Sequence, residues 1–119
     1  MPAPRIIDIA PLERLLHLSG ATGAPALMAA LLGDLQATRA GLDAAWNGPD
    51  FAVLRANAHV LIALAGTIGD IDLQALAQSL FANSYAQNRV DLMDMKPKIM
   101  AGLSDLIGVL ANLQARTGA

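Results

Sequence analysis

The side chain best suited to chemistry in this chain of 119 residues is His59, one of two histidines. Arg55 lies four residues before it, which is one turn away if this stretch is helical. A neutral imidazole is a good nucleophile near pH 7, because an unperturbed histidine has a pKa of about 6.5. A cation one turn away can hold phosphate oxygens. These residue types at this spacing therefore suit phosphoryl transfer, which depends mostly on positioning and charge neutralisation.

His59 lies beside an apolar seam in a segment that reads as an amphipathic helix. The seam steps by three and four residues along Phe51, Leu54, Ala58, Leu61, Ala65 and Ile68. Because His59 follows a seam position, we expect its ring at the edge of the seam or in solvent. Three small residues, Ala56, Ala63 and Gly66, lie at helical spacing from it. The imidazole should then stand above a low helical surface, where a large partner can close over it.

The stretch His59-Val-Leu-Ile-Ala-Leu-Ala-Gly-Thr-Ile-Gly69 continues into Leu73-Gln-Ala-Leu-Ala-Gln-Ser-Leu80. It resembles the central helix of histidine phosphotransfer (HPt) domains. The pattern of that family is roughly H-x-L-K-G-[SA]-[SA]-x-x-[LIV]-G, followed by a helix of the L-x-x-L-A-x-x-L type. The matching positions of the first part are His59, Leu61, Ala65, Ile68 and Gly69. The resemblance covers about residues 51 to 80, and the flanking helices agree with the family only in pattern.

Three positions depart from this family pattern. Ile62 stands where the family has a Lys, Ala63 where it has a Gly, and Leu64 where it has another small residue. In the family the Lys is thought to interact with the phosphoryl group, so Arg55 is the nearby cation that this sequence offers instead. Ile62 places an apolar side chain beside His59, which suits docking to another protein.

The resemblance implies a role and a set of site residues. His59 would be the catalytic nucleophile that takes a phosphoryl group from an aspartyl phosphate and returns it to the same or another aspartate. The implied phosphate-binding or partner-binding residues around it are Arg55, Ile62, Ala63 and Gly66. The implied partners are the receiver domain of a response regulator, a hybrid histidine kinase, or both, in a bacterial phosphorelay. No cofactor is expected in this chain, because Mg²⁺ and the acidic pocket belong to the receiver.

Two other functions stay open at this point. A non-catalytic HPt-like adaptor would bind a receiver or a kinase through His59 and Ile62 without carrying phosphate. An unrelated helical adaptor would carry His59 by chance. A buried His59 would exclude both HPt-like functions, so its exposure is the observation that the fold must supply.

Composition excludes several other classes of protein. Hydrophobic residues make up 55% and charged residues 15% of the chain, so intrinsic disorder is not expected. The absence of Cys excludes disulfide scaffolds, Cys-ligated zinc and thiol catalysis. With 8 Lys and Arg and a net charge of −2, the chain lacks a basic face for nucleic acid. His17 and His59 have no metal-ligand spacing, and nothing resembles a glycine-rich phosphate loop, so neither metal nor nucleotide is expected.

The mean hydropathy of +0.45 raises the question of a membrane. The stretch of residues 56–69, which contains no charged residue, is shorter than the roughly 20 residues of a spanning helix. Asp8 and Glu13 interrupt the segment where a signal peptide has its apolar core. We therefore predict a cytoplasmic protein that does not bind membranes. One apolar seam per helix can be buried within one chain, which predicts a monomer.

The elements that position His59 are predicted to be helices. Ala and Leu dominate, and apolar residues recur at spacings of three and four, so the chain reads as all-α. This pattern predicts one domain over residues 1–119. The domain is predicted to be an antiparallel up-down four-helix bundle with a short extra N-terminal helix. The short helix is predicted from about Pro11 to Leu18, ended by Ser19-Gly20. The first two of the four longer helices are predicted over about Pro25–Trp46 and Pro49–Ile68. The third is predicted to begin at Asp70 or Asp72 and to fade near Asn83–Asn88. The fourth is predicted to run from Asp91 or Asp94 to about Arg116.

Overall fold

The computed structural model describes residues 7–48, 50–86 and 89–117. They form four helices, α1 (Ala10–Asn47), α2 (Phe51–Ile68), α3 (Ile71–Ala86) and α4 (Arg89–Thr117), and these residues contain no strand. The all-α prediction is therefore confirmed. Helix α1 contacts α2, α2 contacts α3, α3 contacts α4, and α4 contacts α1. This closed ring of neighbours is consistent with a helical bundle.

A single apolar core lies between the four helices. The α2 seam is buried as predicted at Leu54, Ala58, Leu61, Ala65 and Ile68, whereas Phe51 is half-buried. Leu35 of α1, Leu80 of α3 and Leu103 of α4 are fully buried in the same core. Each buried Leu contributes roughly 1.5–3 kcal/mol through removal of its surface from water, so the seams hold the helices together.

Helix α1 is interrupted at Gly20. This residue has φ 74° and ψ 179°, values outside the helical region, and the stop predicted at Ser19-Gly20 coincides with the interruption. Helical backbone resumes directly after Gly20, so the predicted helix start at Pro25 is wrong. Pro25 lies inside the helix, about one turn after the interruption at Gly20. Little regular helix therefore precedes the proline ring.

Aspartate side chains cap α2 and α3. The Val53 amide donates to Asp50 Oδ1 over 3.1 Å, and the Leu73 amide donates to Asp70 Oδ1 over 3.2 Å. Asp70, one of the two predicted caps of α3, is thus the cap that the structure uses. The predicted start of α2 at Pro49 lies outside the described residues.

Of the two helix ends beside the α3–α4 connection, the end of α3 lies within its predicted region and the predicted start of α4 is wrong. Helix α3 ends at Ala86, within the region Asn83–Asn88 where it was predicted to fade, and the side chain of Asn83 donates from Nδ2 to the Ser79 carbonyl over 2.9 Å. Asn88, the last residue of the region where α3 was predicted to fade, lies outside the described residues. Helix α4 already includes Arg89, so neither Asp91 nor Asp94 begins it.

Gly69 forms the corner between α2 and α3 and ends α2 as predicted. Its φ of 107° is in the left-handed region, and its amide donates to the Ala65 carbonyl over 2.9 Å. A Cβ at this position would lie 2.7 Å from the Asp8 carbonyl oxygen and 2.7 Å from Pro11 Cδ. The segment before α1 therefore packs directly on this corner.

In the part of the chain that the structure describes, two helices, α1 and α2, are long and apolar enough to cross a membrane by length and composition. The core helices of soluble bundles meet the same test, so this finding is weak evidence for a membrane.

Candidate functional site

His59 lies at the middle of α2 with its side chain exposed. Its neighbour Ala58 is fully buried in the seam, which fixes the rotation of the helix and turns the next residue outward. Ala56 and Ala63, one turn to either side, are exposed and small. The prediction that His59 is exposed near the middle of its helix is confirmed.

An aromatic ring from α3 lies beside the imidazole. The ring centroids of His59 and Phe81 are 6.0 Å apart, with the planes tilted by 43°. Phe81 is half-buried and packs against the core, so it is a fixed neighbour. Within residues 7–48, 50–86 and 89–117, the His59 imidazole forms no hydrogen bond. Both ring nitrogens are thus left for an incoming group.

Arg55 is half-buried and stacks on Tyr85. Its guanidinium carbon lies 4.0 Å from the centroid of the Tyr85 ring, and its Nε is buried with no hydrogen-bond partner among the described residues. Tyr85 in turn meets Phe81 edge-on, with centroids 5.3 Å apart. The predicted cation is therefore on the correct helix and one turn from His59, but an aromatic ring holds it.

These four side chains form one contact line across two helices, which we call the His59–Arg55 line: His59, Phe81, Tyr85 and Arg55. Arg55 and His59 are four residues apart on α2, and Phe81 and Tyr85 are four residues apart on α3. Sequence reasoning missed the two aromatic residues as parts of the site. Their matching spacing, in a chain with 3% aromatic residues, was the available signal.

The other predicted site residues lie along the same helix with different surroundings. Ile62 is half-buried and packs against the core, and Ala63 is exposed. The Gln74 amide donates from Nε2 to the Ile62 carbonyl over 3.3 Å. A Cβ on Gly66 would lie 2.5 Å from that Nε2. Gly66 therefore admits the Gln74 side chain, and its open side is partly used within the fold.

His59 is the one ionisable side chain on the exposed face of α2. This surface, the uncharged face of α2, consists of Ala52, Val53, Ala56, His59, Val60, Ala63, Gly66 and Thr67. Val60, the residue after His59, keeps 44% of its surface exposed. A helix face with small and apolar residues around one imidazole is suited to contact with another protein.

The described residues contain no group of three His, Cys, Asp or Glu side chains that could hold a metal ion. His17, the second histidine, is exposed on α1. No ring contact involves His17 in the part of the chain that the structure describes.

In comparisons with known proteins, no family model, no curated protein and no solved structure matches the chain.

Proposed function

We propose that the protein is an HPt-like phosphotransfer protein that carries a phosphoryl group on His59 in a bacterial two-component phosphorelay. The observation that supports this most strongly is the exposed imidazole at the middle of α2, on a helix face without other ionisable groups. Its partners would be a receiver domain and a hybrid histidine kinase. The uncharged face of α2 would be the surface on which a receiver closes.

The proposed step is the attack of a neutral ring nitrogen of His59 on the phosphorus of a receiver aspartyl phosphate. A nitrogen–phosphorus bond forms, and the bond from phosphorus to the aspartate oxygen breaks. The electron pair of that bond leaves with the aspartate as a carboxylate, and the other ring nitrogen releases its proton to water. The reverse step returns the phosphoryl group to a receiver. The chain supplies the nucleophile, while Mg²⁺ belongs to the receiver.

Arg55 is the cation that this proposal assigns to the phosphoryl group. Its contact with Tyr85 at 4.0 Å contributes about 0.5–1 kcal/mol at a partly exposed site. A hydrogen bond to a charged group contributes about 1.5–3 kcal/mol. The phosphoryl group would therefore compete favourably with Tyr85 for the guanidinium.

The finer architecture belongs to the same proposal. The helices would run up and down in antiparallel order, and the part of α1 before Gly20 would be the short extra N-terminal helix. The contacts of His59 with Phe81 and of Arg55 with Tyr85 support the antiparallel order of α2 and α3. Four residues back along α2, from His59 to Arg55, correspond to four residues forward along α3, from Phe81 to Tyr85. The protein would act as a cytoplasmic monomer.

Phosphoryl uptake from a labelled receiver tests the proposal. A panel of receiver domains from the same genome is labelled with radioactive acetyl phosphate, freed of donor and mixed with this protein. We expect acid-labile, alkali-stable label on the wild type and on His17→Gln, and none on His59→Gln. Absence of label from every receiver would overturn the proposal, and labelling of His59→Gln would overturn the site.

A second candidate is an adaptor that docks on a receiver without accepting phosphate. The stacking of Arg55 on Tyr85 and the apolar Ile62 in place of a Lys favour it. In that case a receiver would bind the wild type and His59→Gln equally, and neither would take up label. Ala63→Glu, which places a charge on the uncharged face of α2, would weaken binding under both functions.

A further inference from the structure

The structure contains a cavity that is separate from the His59–Arg55 line. It measures about 300 Å³, and its lining comes from α1, α2 and α4: Trp46, Asn47, Leu54, Arg89, Leu92 and Met93. A volume of 300 Å³ equals that of about ten water molecules in the liquid, so it has room for roughly ten non-hydrogen atoms. This is at the lower end of the range for small-molecule sites.

The walls of this cavity are mostly apolar. Trp46, Leu54 and Leu92 are buried and form its fixed part, whereas Met93 is 54% exposed at its edge. The Trp46 indole N–H already donates to the Leu92 carbonyl over 3.1 Å, which holds α1 against α4. The indole N–H therefore has its hydrogen-bond partner within the fold, and the Trp46 ring forms an apolar wall of the cavity.

The polar groups of the lining are a guanidinium and a carboxamide. Arg89 and Asn47 are both exposed, and none of the described lining residues carries a carboxylate. The Arg89 side chain forms no ion pair or hydrogen bond with another described residue. An apolar pocket with one unpaired cation at its edge complements a molecule with an apolar body and a single negative charge.

We propose that this cavity binds a small amphipathic monocarboxylate, with the hydrocarbon part against Trp46 and Leu54 and the carboxylate at Arg89. This site is independent of the proposed phosphotransfer. Octanoate has ten non-hydrogen atoms and serves as the probe. Trp46, the one tryptophan of the chain, lines the cavity and reports its occupancy by fluorescence.

The experiment is a fluorescence titration of the full chain with octanoate and, separately, with 1-octanol. We expect a saturable blue shift of Trp46 emission with a Kd of about 0.1–1 mM for octanoate. The wild type should bind octanol about fivefold more weakly than octanoate, and Arg89→Gln should bind octanoate about fivefold more weakly than the wild type does. Both differences are on the scale of one partly exposed charge pair. Arg14→Gln removes an exposed guanidinium outside the cavity and should leave the Kd unchanged.

Met93→Glu gives an independent test at an exposed position, where the fold should tolerate the change. Its carboxylate at the edge of the cavity should abolish octanoate binding. A titration without saturation up to about 10 mM, ten times the upper expected Kd, would overturn the proposal. Equal Kd values for octanoate and octanol, or an unchanged Kd in Arg89→Gln, would overturn the assignment of the carboxylate to Arg89.

Discussion

The guanidinium of Arg55 lies over the ring of Tyr85, 4.0 Å from its centroid, one helical turn from the exposed His59. The contact joins α2 to α3 and leaves Arg55 Nε buried with no partner among the described residues. A cation that is held by an aromatic face and not by a carboxylate keeps its full charge available. Arg55 thus lies one helical turn from His59 and forms no ion pair with another described residue.

The Arg55–Tyr85 contact should be measurable as a coupling energy. We expect Tyr85→Leu to reduce the free energy of unfolding, and a double-mutant cycle with Arg55→Met to give a coupling of about 0.5–1 kcal/mol. Tyr85→Phe keeps the aromatic face and should retain most of this coupling. Urea denaturation of the variants measures it. A coupling near zero would show that the stacking does not hold Arg55 in solution.

Ile62→Lys tests whether the missing cation limits phosphotransfer under the proposed function. The residue is half-buried, so a Lys can keep its stem on the core and place its ammonium in solvent. We expect Ile62→Lys to accelerate transfer from a receiver to His59 several-fold. Ile62→Gln, polar but uncharged, is the control and should not accelerate it. A rate in Ile62→Lys equal to or below that of the wild type would show that Arg55 or the partner already supplies the charge.

Gly69 should tolerate substitution poorly. Ala at this position meets a left-handed φ of 107° as well as close contacts with Asp8 and Pro11. We expect Gly69→Ala to lower the free energy of unfolding by about 2 kcal/mol or more. Thermal or urea denaturation gives the value.

Gly33→Ala is the matched control for this substitution. Gly33 lies within α1, and its added Cβ would have no heavy atom within 4 Å. We expect this variant to gain roughly 0.5–1 kcal/mol, because Ala favours the helix. Equal effects of the two substitutions would contradict the corner geometry described for Gly69.

The cap of α2 also has a predictable energy. Asp50→Ala removes the acceptor of the Val53 amide and should lower the free energy of unfolding by about 1 kcal/mol. Asp50→Asn keeps a side-chain oxygen at the cap and should lose only a few tenths of that value. Urea denaturation of both variants checks the difference, and a large loss in Asp50→Asn would assign the effect to charge instead.

Periodicity alone predicted the features of the fold that depend on burial. The seam from Leu54 to Ile68 is buried, and this burial determines the outward direction of His59. Gly69 and Gly20 lie at the predicted interruptions because both adopt a positive φ. The start of α4 was predicted less well, because Arg89, a residue with good helix propensity, is already helical before the predicted caps Asp91 and Asp94.

The surroundings of the candidate site depend on pairs of helices, which a single sequence does not specify. Tyr85 meets Arg55, and Phe81 meets His59, only once the register of α3 on α2 is fixed. For the same reason, the space beside Gly66 was predicted to be open, whereas Gln74 of α3 approaches it. Spacing within one helix could indicate which side chains share a face but not what covers them.

The most direct test of the central claim is to locate the phosphoryl group after incubation with a phosphorylated receiver. Cleavage after Lys and Arg places His59 on the peptide of residues 56–89 and His17 on that of residues 15–39. Mass spectrometry at alkaline pH should find one added phosphoryl group on peptide 56–89, with fragment ions that place it on His59. Phosphate on peptide 15–39, on another residue of 56–89, or on neither peptide would contradict the assignment of His59 as the phosphoryl carrier.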